Sequence, residues 1–374
     1  MAGEVQKWAD KAMFKAEEID ATKGPEVHLL SCNPDPLGTI AAAALMYEGK
    51  SVQNLAMVTD DQRRYYLEQV QRSVLEAPLE FVNFHFIISG VTRGFTHQMV
   101  RQRTGTYTQE STRFAVKETV PVGLPPSLDG TVTWLEWWLQ CARQLYPDMP
   151  DLAPIVMGEH IAMTIRDDVD SYAEKHATQQ QLWRRRWDRS TSVTEVEYNA
   201  LVSEGMPAED ARGLLETNLL TKVNYNTSLR GLKDHAGVRL CTQAQYEWRV
   251  VWAAMLEAIR EFGKTQTYFT VDDYGTDSFY AREKDPMGTG YHMSSAWQFD
   301  ALADIFKPIC YAKGRCQFMS NVDRACSIRD RVERMADLGI PSIHWQTGID
   351  PADGRSLAIE PGEWMAEGTA RVSQ

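Results

Sequence analysis

The chain has 374 residues, 43% of them hydrophobic and 24% charged, a composition that excludes a disordered or fibrous polymer and allows one large core with an extension. Asp and Glu total 51 against 39 Lys and Arg, and the resulting net charge of -12 excludes capture of nucleic acid by the overall field. Six cysteines scattered without a signal peptide indicate a reduced, cytoplasmic protein, and no apolar run is long enough to be a membrane span.

In chain order, the first 38 residues end in the turn-rich Asn33-Pro34-Asp35-Pro36-Leu37-Gly38, and Thr39 to Tyr47 is an alanine-rich helix. Thr59-Asp60-Asp61 followed by Tyr65, Leu67, Val70 and Val74 reads as a capped amphipathic helix. Phe81 to Gly90 has the β-branched and aromatic content of a half-buried strand, and helical spacing resumes at Phe95, Met99 and Val100. Prolines mark Val120 to Pro126 as a connection, before helices over Trp134 to Tyr146 and Ile155 to Ala173. Arg184-Arg185-Arg186 reads as the solvated face of a polar helix. A further helix opens at Pro207, with acidic residues where the dipole favours them. Leu219 to Asn226 is a strand, Leu229 to Val238 a helix, and Thr242 to Phe262 a long amphipathic helix ending at Gly263. Beyond Lys264 the clear helix is Asn321 to Leu338. Cys310, Cys316 and Cys326, with His292 and His344, lack the close CxxC pairs of a zinc site, so no metal is expected.

The chemistry concentrates in one segment. Arg93, Arg101, Arg103 and Arg113 are interleaved with His97, Gln98, Gln102, Thr104, Thr106, Thr108, Gln109 and Ser111. Guanidinium forks bind phosphate bidentately, and hydroxyls and amides complete its coordination, so Gln98 to Arg113 suits an anion.

The run Gln98-Met99-Val100-Arg101-Gln102-Arg103, then seven residues, then Ser111-Thr112-Arg113-Phe114, resembles the signature of the flavin-dependent thymidylate synthases, Arg-His-Arg, seven residues, Ser. Pro78-Leu79-Glu80 and Gly90-Val91-Thr92-Arg93 match the family's flanks. Later blocks follow in the family's order: Glu209-Asp210-Ala211-Arg212, Ser228-Leu229-Arg230-Gly231-Leu232, Val238-Arg239 and Ala244-Gln245-Tyr246-Glu247.

The resemblance implies an α+β fold of that type, a mixed sheet with long helices, in a homotetramer. It implies a catalytic core over residues 1–262, with an insertion at about 121–203, and leaves 263–374 as an extension. Gln98, Arg101, Gln109, Glu110, Ser111, Arg113 and Arg212 then fall where the family holds the nucleotide. Arg239 falls where it engages the pyrimidine ring as the catalytic arginine. Glu80, Arg101, Gln102, Arg103, Ser228, Leu229, Arg230 and Asp234 fall where it binds FAD. The implied reaction is reductive methylation of dUMP to dTMP with methylenetetrahydrofolate and NADPH.

Departures bear on the fate of the transferred carbon. Gln102 replaces the central histidine of the signature, Leu75 a histidine near folate and flavin, Ala77 a Ser or Thr, and Asp234 an asparagine. A carboxylate at 234 would accept from a cytosine amino group, which makes a dUMP/dCMP hydroxymethylase the alternative enzyme. A catalytically silent nucleotide- or flavin-binding homologue is the alternative outside catalysis.

Overall fold

The computed structural model describes residues 14–15, 18–113, 115–116, 119–128, 130–147, 163–241, 244–270, 281–284 and 291–309. In chain order their main elements are β1 (Glu26–Cys32), α1 (Pro36–Leu45), α2 (Asp60–Arg72), β2 (Asn83–Thr92), α3 (Arg93–Met99), β3 (Gly105–Gln109), α4 (Trp134–Leu145), α5 (Met163–His176), α6 (Gln179–Ser203), α7 (Ala208–Ala211), β4 (Leu220–Ser228), α8 (Leu229–Arg239), α9 (Tyr246–Thr265), β5 (Thr267–Thr270), β6 (Ala281–Lys284), β7 (Tyr291–Ser294) and α10 (Ala296–Ala303). The chain divides into two compact units, Met1–Thr22 with Ser111–Leu220, and Lys23–Glu110 with Thr221–Gln374.

The second unit contains a sheet ordered β1-β2-β4-β3, with β1–β2 and β3–β4 antiparallel. Along β2 the buried Phe84, Phe86 and Ile88 alternate as in a strand with one face in the core, and Val91 is buried out of that period, after Gly90 at φ 69°. Tyr107 and Tyr225, opposite each other in the β3–β4 register, stack with centroids 5.1 Å apart. Beneath lies α9, whose Trp248, Trp252, Met255 and Ile259 are fully buried. Helix α2 is capped by Thr59 rather than Asp60, the other candidate in Thr59-Asp60-Asp61: Thr59 and Gln62 form a reciprocal capping box.

Helix α9 runs through Gly263 to Thr265, so this glycine is not a terminator. A Cβ there would lie 2.5 Å from Cβ of Phe299, and the missing side chain lets α10 approach. The expected extension is therefore partly core: Phe299, Leu302, Ala303, Ile305 and Phe306 join the main apolar cluster. Its polar ties are as specific. Gln298 Oε1 accepts from the Leu37 amide at 2.9 Å, and Ser295 donates to the Pro34 carbonyl at 2.7 Å. The fully buried Arg63 donates twice to Asp35 (3.0 and 2.6 Å) and once to Asp60 (3.1 Å), and Tyr268 donates to the same Asp60 at 2.8 Å. Strands β5, β7 and β6, in that order, form a small antiparallel sheet.

In the first unit, α4 and α5 share a cluster around Trp138, Cys141, Val169 and Ala173, and Tyr198 of α6 packs with Val120, Ala211 and Leu219. Arg184 donates to Asp188 at 2.7 Å and Arg185 pairs with Glu174, so two of the three consecutive arginines have local carboxylate partners. The helix expected at Asn321 to Leu338, with Cys310, Cys316, Cys326 and His344, lies outside the described residues. No described helix is long and apolar enough to cross a membrane.

Candidate active site

Strand β2 delivers the chain into α3 through Thr92, whose hydroxyl oxygen caps the helix by accepting from the Phe95 amide at 3.0 Å. Thr92 also donates its amide (2.6 Å) and its hydroxyl (2.7 Å) to the Glu247 carboxylate at the start of α9. Burial raises the Glu247 pKa, and the two Thr92 bonds oppose that rise.

In the last turn of α3, Gln98 Oε1 accepts from Arg239 Nη1 and from Trp248 Nε1, each at 3.1 Å, while its Nε2 donates to Gln245 Oε1 at 2.6 Å. The Arg239 guanidinium also lies over the Trp248 ring, 4.8 Å from the centroid. Arg239 is half-buried, has no carboxylate partner among the described residues, and its pKa is lowered by loss of water. One turn earlier on α8, His235 is buried edge-on to Trp248 with centroids 4.7 Å apart, and neither ring nitrogen has a partner among the described residues. Burial first, and the Arg239 charge second, push its pKa down to about 3.

The residues expected at the flavin gather around the first turn of α8. Ser228 caps that helix by accepting from the Gly231 amide at 3.2 Å, and the buried Leu229 donates its amide to the Val82 carbonyl at 2.7 Å. Arg230 Nη1 donates to Glu80 at 2.5 Å, both side chains being substantially exposed, and Asp234 is exposed one turn further along α8. Arg101 and Arg103 stand on the turn after α3, exposed and without carboxylate partners among the described residues. Gln102 between them turns inward, donating to the Gly231 carbonyl at 2.6 Å and to Thr104 Oγ1 at 3.0 Å, and accepting from the Tyr225 hydroxyl at 3.3 Å. The residue replacing the histidine thus ties the arginine turn to α8, a job that suits an amide with both donors and acceptor. Gly231 is needed there, since a Cβ would lie 2.5 Å from Thr227 Oγ1.

Gln109 donates to Thr96 Oγ1 at 2.8 Å; Glu110 accepts from Arg93 through its carbonyl (2.8 Å) and from the Thr221 hydroxyl through its carboxylate (3.3 Å). In the other unit, Ser111 Oγ accepts from the Arg113 amide at 3.3 Å, Arg113 reaches Glu209 at 3.4 Å, and Arg212 donates to the Glu209 carbonyl at 3.0 Å. Leu75, standing for a family histidine, is exposed and apolar.

Sequence reasoning gave no role to Thr92, Gln245, Glu247 or Trp248. The first is recognisable as a threonine closing a strand before a helix, and the others lie in or beside the Ala244-Gln245-Tyr246-Glu247 block. The attachment of Gln245 and Trp248 to Gln98, and of Glu247 to Thr92, has no sequence signal, because the partners are separated by more than 140 residues.

The α+β unit thus presents the exposed guanidinium groups of Arg101 and Arg103 beside the capped N-terminus of α8, with the half-buried Arg239 on the same helix. Residues 28–262 match the family described as thymidylate synthase complementing protein, and the chain belongs to that family. Its relatives include a flavin-dependent thymidylate synthase of Clostridium tetani, 26% identical over 64% of this chain and 84% of the relative. Another, of Pyrococcus horikoshii, is 28% identical over 63% of this chain and 79% of the relative. Among solved structures, a UMP/dUMP methylase from Streptomyces cacaoi bound with 5-Br dUMP aligns with a TM-score of 0.44 and 17% identity, covering 64% of this chain and 91% of that one.

Proposed function

We propose that this chain is a flavin-dependent thymidylate synthase that converts dUMP to dTMP, with methylenetetrahydrofolate as one-carbon donor and NADPH as reductant, working as a homotetramer. The observation that carries the reading is Arg239, a desolvated guanidinium held in place by Gln98 and Trp248 without a carboxylate partner among the described residues. A cation so held is ready for negative charge. Carbon 5 of a uracil becomes nucleophilic in an enolate-like form of the ring, with negative charge held on N3 and the carbonyls, and a pre-oriented arginine at that edge stabilises this form.

The residues present fit FAD. Arg101 and Arg103 offer exposed guanidinium donors, and the α8 N-terminus adds a favourable dipole, a set suited to a diphosphate. Glu80, Ser228, Leu229, Arg230 and Asp234 would hold it with them, and Gln102 keeps the turn against α8. The flavin supplies hydride, which no side chain can do. The resemblance assigns nucleotide contacts to Gln98, Arg101, Gln109 and Glu110 of one unit and, each taken by itself, to Ser111, Arg113 and Arg212 of the other, with Arg212 at the phosphate. No cysteine nucleophile is required.

Purified protein should be yellow and should form dTMP from dUMP, methylenetetrahydrofolate and NADPH, as read by mass spectrometry. Arg239→Ala should lower kcat/KM by about 100- to 1,000-fold, the usual loss for one such donor. A hydroxymethylated product from dUMP or dCMP would replace this reading with the hydroxymethylase. Flavin binding without turnover of either nucleotide would leave a silent homologue. Asp234→Asn separates the bases, since a carboxylate that reads cytosine would lose that preference as an amide.

A further inference from the structure

We propose that Glu247 is a positioning residue for Arg239: its carboxylate sets the direction of an amide chain, Glu247 to Gln245 to Gln98, that ends with an acceptor oxygen on the guanidinium. The inference rests on the reading that Arg239 engages the pyrimidine. Each link follows from donor and acceptor capacity. Glu247 as a carboxylate can only accept, and takes the Thr92 amide and hydroxyl together with Gln245 Nε2 at 3.1 Å. Gln245 must then present its oxygen to Gln98, which accordingly donates Nε2 at 2.6 Å. That leaves Gln98 Oε1, and not its NH2 group, facing two groups that can only donate, Arg239 and the indole N–H of Trp248. Reversing Gln98 would set donor against donor at a half-buried cation, and reversing Gln245 would set acceptor against acceptor at Glu247 and donor against donor at Gln98. The chain therefore transmits the identity of one acidic side chain, through two neutral ones, to the orientation of Arg239. Trp248 reinforces the geometry by lying under the guanidinium that its own N–H partner binds.

The test uses the full chain with nitrogen-15-labelled tryptophan, the Trp248 indole resonance being the one absent from Trp248→Phe. Glu247→Gln is isosteric and removes the directional bias. It should shift that resonance and lower kcat with dUMP about tenfold or more, with KM nearly unchanged, because a small misplacement of a transition-state contact acts on kcat. Gln245→Leu, at an exposed position, cuts the chain while leaving the Glu247–Thr92 bonds intact, and should shift the resonance in the same way. The double variant Gln98→Glu with Glu247→Gln reverses the chain yet keeps an acceptor at Arg239, and should return the resonance towards its original position. An unchanged resonance and kcat in Glu247→Gln at an unchanged Tm overturns the proposal, as does an unshifted resonance in Gln245→Leu. If the parent enzyme makes no dTMP, the proposed function falls, while the indole comparison still decides the amide chain.

Discussion

His235 carries a cost at neutral pH that protonation cannot relieve. Each buried ring nitrogen, without a partner among the described residues, forfeits a bond to water, about 1–3 kcal/mol for a neutral group, and the imidazolium is disfavoured further by burial and by Arg239. With the folded pKa near 3 and the unfolded one near 6.5, the unfolded chain takes up a proton that the folded chain refuses between those values. Stability should accordingly fall with acidification from about pH 6.5 towards 3, by up to about 1.4 kcal/mol per pH unit from this group. Urea midpoints for the parent and His235→Phe between pH 7 and 4 measure it: the variant should show the shallower slope and be no less stable at pH 7. Gln102 teaches a related lesson. Its position was legible from the motif, but its inward bonds to Gly231, Thr104 and Tyr225 were not, because an amide's partners depend on which elements pass beside it.

Helix and strand positions followed from periodicity and caps. Of the two caps the sequence offers for α2, Thr59 and Asp60, it is Thr59 that caps it, and β2, β4 and α8 lie within two residues of their expected limits at every end. Gly263 is the informative exception. Glycine after an amphipathic run usually terminates a helix through a left-handed residue, but here it remains helical and its lack of a side chain serves the packing of α10. Gly263→Ala should therefore destabilise the fold by about 1–3 kcal/mol through overpacking against Phe299, although alanine is the better helix former. Thermal unfolding checks the sign; a stabilised variant would mean that α10 yields at little cost.

At the scale of the molecule, residues beyond 262 complete the core they were expected only to follow. Truncation after residue 262 removes Phe299, Leu302 and Phe306 from the apolar cluster and Tyr268 from Asp60, and it should abolish cooperative unfolding and leave the remainder binding a hydrophobic dye. A truncated chain with an unchanged melting transition would contradict that role. The family motifs, the arginine cluster, the capped start of α2 and most strands and helices are legible in the chain alone, since each depends on neighbours within a turn or on a short fixed spacing. Only the tertiary structure decided that Gln98 holds Arg239 between Gln245 and Trp248, that Gln102 faces α8, and that Arg63 bridges Asp35 and Asp60 beside Tyr268. Such groups are buried or oriented by partners tens to hundreds of residues away, and donor–acceptor complementarity acts through space without leaving a period in the chain.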